Sequence, residues 1–248
     1  MRTSIKIIIV LIILFIPLVV SAQTSLPKIS LGVENSDSPS DFVQTIQIVF
    51  LLTVLSLAPS ILIMMTSFTR IVIIFHFLRS ALATQTVPSN QILASLALFL
   101  TFFIMKPVFS EVNEKALQPY LNGDISQTVA LKNAVTPLKT FMLNQTKESE
   151  LSMFVDLSGA PAVQSPSDLP ITTVIPAFII SEIKTAFQIG FLIYLPMLLI
   201  DIIVASTLLS MGMMMLPPIM ISMPFKLLLF VLVDGWNLVV ESIVKGFA

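Results

Sequence analysis

The chain alternates long charge-free stretches with short polar breaks. Ile7 to Val20 is an apolar run behind Arg2 and Lys6. Phe42 to Thr69 carries no charge and is long enough to cross a bilayer, which takes about 20 helical residues. Pro59 lies inside it, where it removes a helical hydrogen bond and bends the axis. Ser80 to Met105 is also free of charge. Its first part, TQTVPSNQ, reads as a turn, with Ser89 or Asn90 capping a helix from Gln91 to about Met105 that ends at Lys106-Pro107.

The character changes between Pro107 and Pro170, where Lys, Glu, Asp, Asn and Gln recur. The pattern predicts short helices over Ser126–Asn133, from Pro137 behind a Thr136 cap, and over Lys147–Leu157, ending at Ser158-Gly159. Leu138, Phe141 and Met142 share a helical face. Beyond a proline-rich loop, Ile175 to Leu209 predicts one long helix with Pro176 and Pro196 inside it. Ile219 to Val240 is a further apolar segment, interrupted by Lys226, and Ser210 to Pro218 breaks the two apart. The expected fold class is all-α, with membrane-associated helical hairpins of four long apolar segments and a small polar helical insert. The expected organisation is 1–22 signal peptide, 23–41 polar segment, 42–106 first apolar hairpin, 107–170 polar extracytoplasmic region and 171–248 second apolar hairpin.

Composition sharpens the class. Hydrophobic residues make up 56% of the chain and charged ones 11%, against about 45–50% and ~25% in soluble domains. Mean hydropathy is +0.98. A net charge of −1 gives a nucleic-acid partner no electrostatic support. The chain has no cysteine and one histidine, His76, which removes thiolate chemistry and any imidazole cluster. No catalytic, metal or cofactor residues are expected, and His76 is read as structural. The basic start, apolar run and Val20-Ser21-Ala22 match a secretory signal peptide cleaved between Ala22 and Gln23, the alternative being a first membrane anchor. Arg70, His76 and Arg79, with no acid until Glu111, favour the cytoplasmic side for that segment.

Two features carry candidate function. Glu182, Asp201, Arg70 and Lys226 lie in or beside apolar stretches, where a charge costs roughly 2.5–3.5 kcal/mol on insertion scales. They are expected to face protein and to pair, with Glu182 and Asp201 as the acids and Lys226 and Arg70 as their partners. The second feature is the break itself, Met211-Gly212-Met213-Met214-Met215, followed by Pro217-Pro218. Seven of the 13 methionines fall between Met197 and Met223. Thioether side chains are flexible and polarizable, and a ring of them from several subunits closes a pore without fixed shape.

The stretches LSLAPSILIMMTSFTRIVIIFHFLRSALATQ, PLKTFMLNQT, SEIKTAFQIGFLIYLPMLLIDIIVASTLLSMGMMMLPP and PFKLLLFVLVDGW resemble the FliP family of flagellar type III secretion export-gate proteins. The similarity covers most of the chain from about Val43 onward. The resemblance implies a pore-forming, non-enzymatic subunit that assembles as a pentamer with FliQ and FliR into a helical pore. FlhA and FlhB would lie nearby and unfolded export substrates would pass through. It places the assembly in the bacterial inner membrane at the flagellar basal body, much of it on the periplasmic side, with helices that need not be ordinary spanning ones. It also implies a methionine gasket at Met211, Met213, Met214 and Met215, and an inter-subunit ion pair between Glu182 and Lys226. The virulence secretion counterpart, SctR, is the nearest alternative. A secondary transporter subunit would show paired broken helices in two related halves, and the chain has one such break.

Overall fold

The computed structural model describes residues 39–159, 165–213 and 215–247, and among them it is helical with no strand. The chain divides into two compact units, residues 1–52 and 53–248, and the contacts below lie within the second. The signal-peptide reading, with cleavage between Ala22 and Gln23, falls outside the described residues.

Helix α1 (Pro39–Met64) is followed by α2 (Phe68–Ala81) and α3 (Asn90–Val112). The charge-free run expected to continue to Thr69 instead breaks at Met65–Ser67. The Thr66 hydroxyl donates to the Ile63 carbonyl at 2.6 Å and accepts from the Phe68 amide at 3.4 Å. Such local bonds offer the backbone an alternative to the helix ladder. Ser89 caps α3 by accepting from the Ile92 amide at 3.4 Å. α3 does not stop at Lys106-Pro107: it carries Pro107 internally and passes through a π-turn at Asn113–Leu117 into α4 (Gln118–Leu121).

The polar region holds α5 (Gln127–Gln145) and α6 (Glu148–Ser158). The two helices expected on either side of Thr136-Pro137 are one, with a buried Pro137 inside it. Thr136 caps nothing; its hydroxyl donates to the Lys132 carbonyl at 3.0 Å. α6 ends as expected on Gly159, in the left-handed region at φ 58°.

Helix α7 (Ile171–Ser210) is followed by α8 (Pro218–Leu232) and α9 (Gly235–Lys245). The last apolar segment, Ile219 to Val240, bends by 64° between α8 and α9. Asp234 takes φ 51° at the bend. A Cβ on Gly235 would come within 2.3 Å of the Phe230 ring.

Burial follows helical periodicity. On α2, Arg70, Ile71, Ile74, Phe75, Leu78 and Ala81 face inward. On α7 the buried positions are Thr173, Val174, Ala177, Phe178, Ser181, Glu182, Ala186, Gly190 and Met197. The two stripes meet, and a Cβ on Gly190 would sit 2.5 Å from Phe77 side-chain atoms. Met142, Phe178, Val174, Leu169 and Met65 form a second core, packed by Leu138 and Phe141 from the face the spacing predicts. Three helices, α1, α3 continued to Leu121, and α7, are long and apolar enough to cross a membrane, or four if α8 and α9 count as one bent span.

Candidate functional site

α7 gathers every charge singled out in the apolar stretches. Arg70 Nε donates to Glu182 Oε2 at 2.9 Å, and its Nη2 donates to Glu182 Oε1, a bidentate fork. Nη2 also donates to Gln145 Oε1 at 3.1 Å, and Nη1 to the Gly246 carbonyl at 3.1 Å. The guanidinium carbon lies 3.8 Å from the centroid of the Phe247 ring. Arg70 is 4% exposed and Glu182 0%. A dry pair holds only where its remaining polar atoms are satisfied, and this one is fastened to α2, α5, α7 and the segment after α9.

The second pair joins the arms of the last hairpin. Lys226 Nζ on α8 donates to Asp201 Oδ2 on α7 at 2.6 Å. Ser222, one turn before Lys226, donates to Asp201 Oδ1 at 2.5 Å. Lys226 is 2% exposed and Asp201 19%. Among the described residues no ion pair joins Glu182 to Lys226 within the chain; each has its own partner.

Around α7 the polar region is held by neutral and charged contacts. The Lys147 amide donates to Ser181 Oγ at 3.0 Å. Lys147 Nζ donates to Gln188 Oε1 at 2.8 Å and Lys184 Nζ to Glu150 Oε1 at 2.7 Å. The Lys184 hydrogen bond, aided by the Ser149 hydroxyl, lowers the Glu150 carboxyl from 4.5 to about 2. His76 is exposed and lies 3.3 Å, Nδ1 to Nη2, from Arg79.

The methionine break is a built turn. Gly212 sits at φ 75°. Its amide donates to the Leu209 carbonyl at 3.0 Å, and the Met213 amide reaches back to Leu208 at 3.0 Å. Those two bonds are the Schellman pattern that closes a helix on a left-handed residue. Pro217 and Pro218 then start α8, where proline at the first helical position loses no bond. Met211 is 72% exposed, Met213 41% and Met215 98%. Met214 lies outside the described residues.

Sequence reasoning named the four paired charges and the turn, and missed Gln145, Gly246, Phe247 and Ser222. Ser222 left a signal, since it stands four residues before Lys226 on one helical face. The Arg70 partners left none, because their meeting depends on how distant helices pack. Among the described residues no group of three or more His, Cys, Asp or Glu is placed to hold a metal.

An all-α chain with membrane-length helices, large uncovered apolar faces and buried ion pairs defines the class: a membrane-associated helical protein. The FliP family model matches residues 51–243. The chain is 54% identical over 217 residues to the flagellar biosynthetic protein FliP of Bacillus subtilis (strain 168), covering 88% of this chain and 98% of that one. It is 50% identical over 203 residues to that of Pectobacterium carotovorum subsp. carotovorum, covering 82% and 79%. It is 46% identical over 226 residues to that of Aquifex aeolicus (strain VF5), covering 90% and 93%. The chain belongs to the FliP family.

Proposed function

We propose that the chain is a pore-forming subunit of the flagellar protein-export apparatus in the bacterial inner membrane, with a passive rather than enzymatic role. Family membership and relatives named as flagellar biosynthetic proteins support the flagellar setting over the virulence counterpart. Several copies, five in the usual family arrangement, surround a shared axis with FliQ and FliR, with FlhA and FlhB nearby. Unfolded substrates pass along that axis, and the polar region lies on the periplasmic side.

One observation carries the gate. Met211, Met213 and Met215 stand uncovered on a turn whose backbone is fixed by Gly212 and the two prolines. Long, flexible, apolar side chains on a fixed turn suit a seal that closes without charge and yields to varied cargo. The ion pairs hold the arms that present it: Asp201–Lys226 across the hairpin and Arg70–Glu182 at the base of α7. An added Glu182–Lys226 contact between subunits would be a second contact for residues already paired within the chain.

Replacing Met211, Met213, Met214 and Met215 by Ala in assembled gates should raise ion leakage across the inner membrane at least severalfold, measured by conductance or dye flux. Unchanged leakage in correctly assembled complexes overturns the gate.

A further inference from the structure

A cavity of about 370 Å³ opens where the last turn of α2 and the loop after it meet α7 and α8. That volume is within the ~300–1,000 Å³ typical of ligand sites. Arg79, Ser80, Thr84, Gln85, Asp201 and Lys226 line it. Its charges do not balance: two cations face one carboxylate. Among the described residues Arg79 has no acidic partner, and Asp201 is already bound to Lys226.

Donors are also in excess. An ammonium carries three N–H bonds, and among the described residues Lys226 Nζ has one acceptor, Asp201 Oδ2. Lys226 is 2% exposed, so its other donors have little access to open solvent. Arg79 is held from behind: Nη1 donates to the Pro88 carbonyl at 3.2 Å and to Asn90 Oδ1 at 2.5 Å, and Nη2 meets His76 Nδ1. Its Nε and second Nη2 hydrogen have no acceptor among the described residues, so a prepositioned guanidinium edge is left over. Buried N–H groups of charged residues are rarely left without acceptors, and Lys226 is the buried one here; the Arg79 edge opens to solvent. The Asp201 carboxylate and the C-terminal dipole of α2 oppose an anion, and two full charges outweigh them.

We propose that this cavity binds an anionic phosphate group, free or as a phospholipid headgroup, through Arg79 and Lys226. A planar guanidinium edge beside a point-like ammonium suits tetrahedral oxygens. The Ser80 hydroxyl and Gln85 amide supply neutral donors on the rim. Ile219, which lines the cavity and is exposed, gives an acyl chain an apolar surface that a free anion does not use.

The test is native mass spectrometry of the full chain in a neutral detergent, titrated in separate arms with dioctanoyl phosphatidylglycerol and with inorganic phosphate. Retention of either by the wild type is expected, with at least tenfold weaker retention by Arg79→Gln, in line with losing a charge-assisted contact. Retention of the lipid alone assigns a headgroup, and retention of both assigns the phosphate group itself. Gln85→Glu places a carboxylate at an exposed lining position. It should weaken retention similarly, and it decides the matter if Arg79→Gln does not fold by circular dichroism. No retention of either probe by the wild type overturns the proposal, as when a carboxylate of a second copy fills the cavity. Retention by both folded variants equal to wild type overturns it too.

Discussion

Arg70 is the residue whose loss should cost most. It neutralises a fully buried carboxylate and fastens three further groups around it. Arg70→Ala leaves the Glu182 carboxyl dry and without its cation, a change worth roughly 3–5 kcal/mol. Lys226→Ala strands Asp201 instead, which is 19% exposed and so able to recruit water; its cost should be smaller. Thermal midpoints in detergent should rank wild type above Lys226→Ala above Arg70→Ala, and an Arg70→Ala midpoint equal to wild type would sink the account. Glu150 gives a pH signature. Its carboxyl is lowered to about 2 in the folded chain, by Lys184 first and Ser149 second. A depressed acid stabilises fully above its unfolded value, 4.5, and that stabilisation fades as pH falls towards about 2. Lys184 is 52% exposed, so screening keeps the effect modest. The midpoint gap between wild type and Glu150→Gln should therefore narrow as pH falls from about 6 to about 3; a gap constant over that range would refute it.

At the level of elements, the methionine turn rests on Gly212. A Cβ there has open space around it, so substitution is penalised by the backbone alone. An ordinary L-residue in the left-handed region costs roughly 1–2 kcal/mol. Gly212→Ala should lower the thermal midpoint and speed protease cleavage between α7 and α8, with Gly212→Asn intermediate because asparagine tolerates that region. Identical cleavage rates for all three chains would show that the left-handed turn is not what holds the break. Apolar elements were legible because long charge-free runs have few alternatives to helix. Their ends were less so. Pro107 read as a helix end and Pro137 as a helix start, yet each lies inside a helix whose packing outweighs a penalty of about 3 kcal/mol. The break at Met65–Ser67 hid in a charge-free run, signalled only by Thr66 and Ser67 hydroxyls. The bend after α8 was marked by Asp234-Gly235, a turn-prone pair. Which acid meets which base was not readable, since Arg70 and Glu182 stand 112 residues apart and share no local pattern.

For the molecule as a whole, the notable quantity is the length of α7. Forty residues rise about 60 Å, roughly twice the hydrocarbon depth of a bilayer. Its first half is clasped by α2, α5 and α6, while Leu192, Leu198, Leu199, Ile202, Ile203 and Leu209 of the second half are uncovered. Lipid or neighbouring chains must cover those apolar faces. A single rod therefore carries both the clasped base and the thioether tip. By simple trigonometry, a swing of about 10° where the clasp ends carries a tip about 30 Å away through about 5 Å, comparable to one helical turn. Pro196 lies along the way, where a missing hydrogen bond makes the rod easiest to flex. In the proposed gate, leverage of that kind would let a small readjustment beside the clasp widen an aperture at the far end with no rearrangement of the turn.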